Sequence, residues 1–253
     1  MRLVETRNRI PGRILDLRPH HGKKPYPLFY AALCVLFGLA ACTSSSDYVL
    51  TPNPTPYYDT SPSEYYLYLP SNYTPEKVWP VLVGVHGYSR DGTQCLDWWK
   101  EHTETAGFIL VCPSFGTGNG DWEFIQNETN LLGILRHVGN EVRVQKKVFL
   151  AGFSAGGEFA LLFSYSHPNL VQAVSLLSSG NYYAPYKDFR SISFLVFMGD
   201  QDNSIAQENA RLFVEVLQQE DYTVEYEVIP GIGHEVIPEE LEKTILFFQA
   251  FGK

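Results

Sequence analysis

Residues 147–157 read Lys-Val-Phe-Leu-Ala-Gly152-Phe153-Ser154-Ala155-Gly156-Gly157, and this stretch restricts the fold more than any other. An apolar, β-prone run ends on a glycine, a serine follows two residues later, and two more glycines open a helix-compatible segment. That segment lasts to His167-Pro168, where proline, lacking an amide hydrogen, ends it. Glycines on both sides of the serine let a strand and a helix approach closely around a sharp turn. The serine Oγ then stands above the end of a sheet, beside a helix N-terminus. A strand feeding such a turn needs neighbours on both sides, which points to an α/β sheet.

The rest of the chain agrees. From Glu64 onward, short apolar β-rich runs alternate with helical patterns. This predicts a single α/β domain over residues 64–253, with a mostly parallel central sheet and helices on both faces. The expected strands are Tyr65–Leu69, Val81–Val85, Phe108–Val111, Lys147–Ala151, Ala173–Leu177, Phe194–Met198 and Val224–Ile229. The expected helices are Leu96–Ala106, Thr129–Val142, Ala155–Ser166, Gln207–Gln219 and Pro238–Phe251. The second shows one-sided apolar spacing through Leu131, Leu132, Leu135, Val138 and Val142. With 45% hydrophobic residues, the chain has enough apolar material for one sizeable core.

A serine alcohol is a poor nucleophile until a base takes its proton. The order Ser…acid…His places the base and its supporting acid downstream. Phe194-Leu-Val-Phe-Met198 reads as a buried strand leading into Gly199-Asp200-Gln201-Asp202, and Val228-Ile-Pro-Gly-Ile-Gly-His234 ends a further strand in a glycine-rich loop. Loops at the carboxyl ends of strands are where α/β sheets gather such groups. His234 is therefore the candidate base and Ser154 the candidate nucleophile, with Asp200 and Asp202 as candidate acids.

With these residues in view, the chain resembles the α/β-hydrolase superfamily from Trp79 onward. The likeness is strongest to its compact esterase branch: the phospholipase/carboxylesterase group and secreted esterases related to polyhydroxybutyrate depolymerases and feruloyl esterases. It rests on Pro80-Val-Leu-Val-Gly-Val-His86-Gly87, Gly152–Gly157, Gly199-x-x-Asp202 and Gly231-x-Gly-His234. The resemblance implies Asp202, the second aspartate of its loop, as the acid. It also implies an oxyanion hole from two backbone amides, one of Ala155 and one of the His86-Gly87-Tyr88 turn, where Tyr88 is preferred to Gly87. His86 is expected to brace that turn. His102, His137 and His167 read as surface or helix-end groups.

Three functional readings fit these motifs. The first is a carboxylic-ester hydrolase working through an acyl-serine. The second is a serine peptidase of the same fold, and the third a non-catalytic binding lipoprotein. Trp98, Trp122 and Tyr182 are the candidate substrate-binding residues, because their segments leave strand ends that face the site; Trp99, Tyr183 and Tyr186 share that placement. No metal-ligand spacing and no nucleotide-binding glycine motif occurs, so neither metal nor cofactor is expected.

The amino-terminal segment carries a separate message. Residues 1–41 hold seven Lys/Arg against Glu5 and Asp16, a balance of +5, so a chain of net charge −9 leaves −14 on the remainder. A body this acidic repels polyanions and excludes nucleic acid as a natural partner. Lys23-Lys24 precede an apolar run, Leu28–Ala41, that is short for a membrane span but fits a signal-peptide core. The run ends in Leu39-Ala40-Ala41-Cys42 and then a polar Thr-Ser-Ser-Ser tail, which resembles a bacterial lipobox. The resemblance implies a leader over residues 1–41, an acylated Cys42, and a lipid-anchored protein of the cell envelope. Thr43, where aspartate would signal inner-membrane retention in enteric bacteria, implies the outer membrane in a Gram-negative host. Residues 42–63, with Thr51-Pro-Asn-Pro-Thr-Pro56, read as a tether. Cys95 and Cys112 remain in the domain, either as a disulfide or as two buried thiols.

Overall fold

The computed structural model of the protein describes residues 13–15, 64–116 and 122–251. Seven strands of the domain form one sheet: β2 (Tyr65–Leu69), β3 (Val81–Val85), β4 (Ile109–Pro113), β5 (Val148–Phe153), β6 (Val171–Leu177), β7 (Ser193–Gly199) and β8 (Val224–Ile229). A three-residue strand β1 (Arg13–Leu15) adds to the β2 edge, giving the order β1-β2-β4-β3-β5-β6-β7-β8. β2 lies antiparallel to both neighbours, and every pairing from β4 to β8 is parallel. Five helices complete the domain: α1 (Gly92–Ala106), α2 (Phe124–Glu141), α3 (Ala155–Ser166), α4 (Ser204–Gln219) and α5 (Pro238–Phe251). The expected leader, Cys42 and tether lie outside the described residues, apart from Arg13–Leu15.

Side chains alternate across a strand, so a central strand contributes to two cores. Val81, Val83 and Val85 of β3 pack with Leu135 of α2, Phe159 of α3 and Phe213 of α4, whereas Leu82 packs with Trp99 of α1 and Phe248 of α5. Thus α2, α3 and α4 cover one face and α1 and α5 the other. With both faces covered, β3 and β4 are buried throughout, and their sequences are apolar without a break.

The observed elements keep the predicted order, with longer starts for three helices. α1 begins at Gly92 because the Asp91 side chain accepts the Thr93 amide, and α4 begins at Ser204 because Asn203 Oδ1 accepts the amides of Ile205 and Ala206. α2 begins at Phe124 without a side-chain cap, and its first turn therefore carries no such signal.

Register decides where the site falls. Gly152 of β5 pairs with Val85 of β3 on one side and with Leu176 of β6 on the other. Gly199 of β7 pairs with Ile229 of β8. The loops after β3, β5, β7 and β8 consequently emerge at one edge of the sheet, the carboxyl edge of its parallel strands.

Candidate active site

Ser154 lies between β5 and α3 with φ 54° and ψ −120°. A side-chain-bearing residue in this region is strained by about 1–3 kcal/mol, which the surrounding packing must hold in place. The glycines show how. A Cβ on Gly152 would lie 2.1 Å from the Gly156 carbonyl oxygen, and one on Gly156 would lie 2.4 Å from the carbonyl oxygens of Val85 and His86. Only glycine permits these backbones to touch. The Gly157, Glu158 and Gly180 amides all donate to the Ser154 carbonyl, fixing the turn to the loop after β6.

His234 and Asp202 arrive from the loops after β8 and β7. His234 Nε2 is 2.9 Å from Ser154 Oγ, and His234 Nδ1 is 2.9 Å from Asp202 Oδ2. The carboxylate can only accept, so Nδ1 carries the proton and Nε2 offers its lone pair to the serine hydroxyl. The Asp202 side chain is 4% exposed and that of His234 is 47% exposed, which puts the acid beneath the imidazole and the serine side of the row toward solvent. Asp202 Oδ1 also accepts the Asn203 amide at 2.6 Å, and Gln207 Nε2 holds the Asp202 carbonyl at 2.6 Å. Asp200 is turned elsewhere: its Oδ1 accepts the Gly231 amide at 2.7 Å.

The turn after β3 faces the serine. His86 is fully buried, with Nδ1 2.7 Å from the Gly87 carbonyl and Nε2 accepting the Phe115 amide at 2.9 Å. Because the Phe115 N–H can only donate, Nδ1 must carry the ring proton. Burial holds this imidazole below its ordinary pKa, keeping it neutral. Among the described residues, neither the Tyr88 nor the Ala155 amide has a hydrogen-bond acceptor.

A cavity of about 490 Å³ opens over Ser154 and His234, within the ordinary range for small-molecule sites. Tyr88, Trp98, Phe153 and Val236 supply apolar walls, and Arg90, Gln94 and Glu235 supply polar ones. Phe153 packs against the His234 ring at 4.8 Å in a tilted arrangement, and Trp98 meets Phe153 edge-on at 5.6 Å.

Of the three aromatic candidates for substrate contact, only Trp98 lines this cavity. Trp122 packs edge-on against His86 at 5.3 Å and Phe115 at 6.0 Å, behind the turn. Tyr182 packs on Phe213 of α4, with its hydroxyl buried. Neither lines this cavity, because leaving a strand end does not specify which way a ring turns. Trp99 is buried in the core, Tyr183 donates to Glu158, and Tyr186 packs on Tyr165 and Phe189. Sequence reasoning missed Arg90, Gln94, Phe153, Glu235 and Val236. Phe153, as the variable residue before the serine, had a positional signal; the others depend on how two distant loops meet. Cys95 and Cys112 form a disulfide between α1 and β4. Among the described residues there is no cluster of His, Cys, Asp and Glu able to hold a metal ion.

A mostly parallel sheet carrying a serine on a tight strand-to-helix turn defines the α/β-hydrolase class. Within that class, residues 66–242 match the model of the dienelactone hydrolase family, and the chain belongs to that family. It is 26% identical over 154 residues to the bifunctional acetylxylan esterase/xylanase XynS20E of Neocallimastix patriciarum, covering 59% of this chain and 23% of that protein. It is 28% identical over 114 residues to acyl-protein thioesterase 1 of Gibberella zeae, covering 42% of this chain and 48% of the relative. The chain thus spans half or less of the curated relatives it matches. The fold is similar to that of the CE1 ferulic acid esterase AmCE1/Fae1A of Anaeromyces mucronatus, with a TM-score of 0.61 at 16% identity over 78% of this chain and 88% of that one.

Proposed function

We propose that the protein hydrolyses carboxylic esters through an acyl-serine intermediate, with Ser154 as nucleophile, His234 as base and Asp202 as its acid. The observation that carries this reading is the hydrogen-bonded row Ser154–His234–Asp202 at a strained turn beside two unengaged amides. In the first half-reaction His234 Nε2 takes the serine proton as Oγ attacks the ester carbonyl, and the negative charge gathers on the carbonyl oxygen. The Tyr88 and Ala155 amides bind that oxygen, and each such donor contributes about 3–4 kcal/mol to the transition state. The imidazolium, stabilised by Asp202, then protonates the leaving alcohol. Water repeats the sequence on the acyl-serine and releases the acid.

The aromatic walls formed by Tyr88, Trp98 and Phe153 suit an acyl or sugar group with a flat apolar face. Membership of the dienelactone hydrolase family supports ester hydrolysis, and likeness to an acetylxylan esterase supports an ester linked to a carbohydrate as substrate. Anchoring through Cys42 in the bacterial cell envelope, at the outer membrane of a Gram-negative host, is part of the same proposal. The Cys95–Cys112 disulfide favours an oxidising compartment of that kind.

A fluorophosphonate probe tests the nucleophile. The domain should be labelled and should turn over p-nitrophenyl acetate, while aminopeptidase substrates stay intact. Ser154→Ala should lose both labelling and turnover and keep its circular dichroism spectrum. Labelling of the variant at the wild-type level would remove Ser154 from the mechanism.

A further inference from the structure

The Tyr88 amide belongs to the peptide unit that also carries the Gly87 carbonyl. In a trans peptide these two groups point in opposite directions. Because His86 Nδ1–H binds the Gly87 carbonyl, the Tyr88 N–H is turned the other way. The preceding peptide unit is held on both sides too. The His86 carbonyl abuts Gly156, where a Cβ would come within 2.4 Å. The Gly87 N–H points away from that contact and reaches Gln94 Oε1 at 3.4 Å.

We propose that Gln94 is a positioning residue for the oxyanion hole: by holding the Gly87 amide it sets the rotation of the turn that presents Tyr88 N–H. This rests on the reading of Ser154 as nucleophile given above. Gln94 Oε1 is the acceptor for the Gly87 amide among the described residues. With that amide taken, the turn has Tyr88 N–H left to offer.

The side chain is well placed for the task. Gln94 lines the cavity and rises from the first turn of α1, which Asp91 caps. Its neighbour Cys95 is bonded to Cys112, three residues before the Phe115 amide that holds His86 Nε2. The two grips on the turn, Gln94 on the amide directly and His86 on the carbonyl through its bond to Phe115, are therefore both anchored to one cross-linked unit. Such a device acts on the charge that develops during reaction. Its removal should lower kcat and leave KM largely alone.

Gln94→Leu removes the acceptor at similar size, and Gln94→Glu keeps one. The leucine variant should lose roughly 10- to 100-fold in kcat on p-nitrophenyl acetate, less than the loss of a whole oxyanion donor, with KM within about twofold. Affinity for a trifluoromethyl ketone, whose serine adduct bears the oxyanion, should fall in proportion; the glutamate variant, whose charge opposes the oxyanion, is read by Gly87 amide exchange alone, which should stay as slow as in wild type. Wild-type kcat in Gln94→Leu overturns the proposal, as does a loss confined to KM with ketone affinity unchanged. Amide exchange of Gly87, followed with 15N-glycine, reads the grip without any turnover: it should quicken in Gln94→Leu, and an unchanged rate refutes the grip. If the wild-type protein cleaves no ester at all, the functional reading fails, and the Gly87 exchange rate still decides whether Gln94 holds the turn.

Discussion

Asp200 and Asp202 stand two residues apart on one loop, and their surroundings give them different work. Asp202 reaches inward to His234 Nδ1, whereas Asp200 reaches across to the Gly231 amide and steadies the loop that carries the histidine. Under the proposed mechanism, Asp202→Asn disturbs the tautomer of the base and should lower kcat by roughly 10³- to 10⁴-fold. Asp200→Asn retains an oxygen for Gly231 and should stay within about tenfold of wild type. Ester turnover of the two purified variants tests this, and the reverse ranking would give the acid's role to Asp200. At this scale, chain order marked the loops that meet in the structure, while the preference for Asp202 over Asp200 came from the family resemblance. Ser154, Asp202 and His234 follow strand ends in a fixed sequence, and parallel register brings such ends together. Trp122 and Tyr182 follow strand ends as well, yet their rings turn into the core. Ring direction depends on neighbours such as Phe115 and Phe213, which local sequence does not identify.

Elements were legible where apolar runs, glycine or proline marked them, and less so at helix starts set by a capping side chain. β2, β3, β8, α3 and α5 occupy their expected spans, and the early starts of α1 and α4 follow from Asp91 and Asn203, whose capping role is visible in hindsight. The start of α5 also contains a titratable device. Glu240 is 1% exposed, and its Oε2 accepts the Ile237 amide at 2.9 Å, tying the first turn to the loop that carries His234. Burial, reinforced by Glu227, Glu235 and Glu239, pushes its carboxyl up to about 7. A carboxyl raised in the folded state binds its proton more tightly there than in the unfolded chain. The resulting stability is present below the ordinary carboxylate range, near 4.5, and is lost as pH rises to about 7. Glu240→Gln keeps an acceptor and cannot ionise. Its melting temperature should exceed that of wild type clearly at pH 8 and much less at pH 5. Equal differences at the two pH values would show that Glu240 does not ionise at a cost.

On the scale of the whole molecule, the sequence divides into a basic, apolar start and an acidic domain, and apart from Arg13–Leu15 the described residues lie in that domain. No helix among them is long and apolar enough to cross a membrane. The proposed attachment is the Leu39-Ala40-Ala41-Cys42 segment, which resembles a lipobox. Cleavage before Cys42 would also remove Arg13–Leu15, leaving β2 as the edge strand and the parallel strands that carry the site untouched. One acyl chain holds a protein only marginally on a bilayer, whereas two or more hold it firmly. A diacylglyceryl-cysteine would therefore retain the domain, and residues 43–63 would let it reach esters beyond the lipid surface. Expressed in a Gram-negative host, the protein should fractionate with the outer membrane, and its mature N-terminal peptide should begin at a lipid-modified Cys42 by mass spectrometry. Cys42→Ser should block lipidation and abolish that membrane association, while the purified domain keeps its turnover of p-nitrophenyl acetate. An unmodified Cys42, or a mature chain beginning elsewhere, would exclude the anchor and leave the proposed chemistry of Ser154 standing.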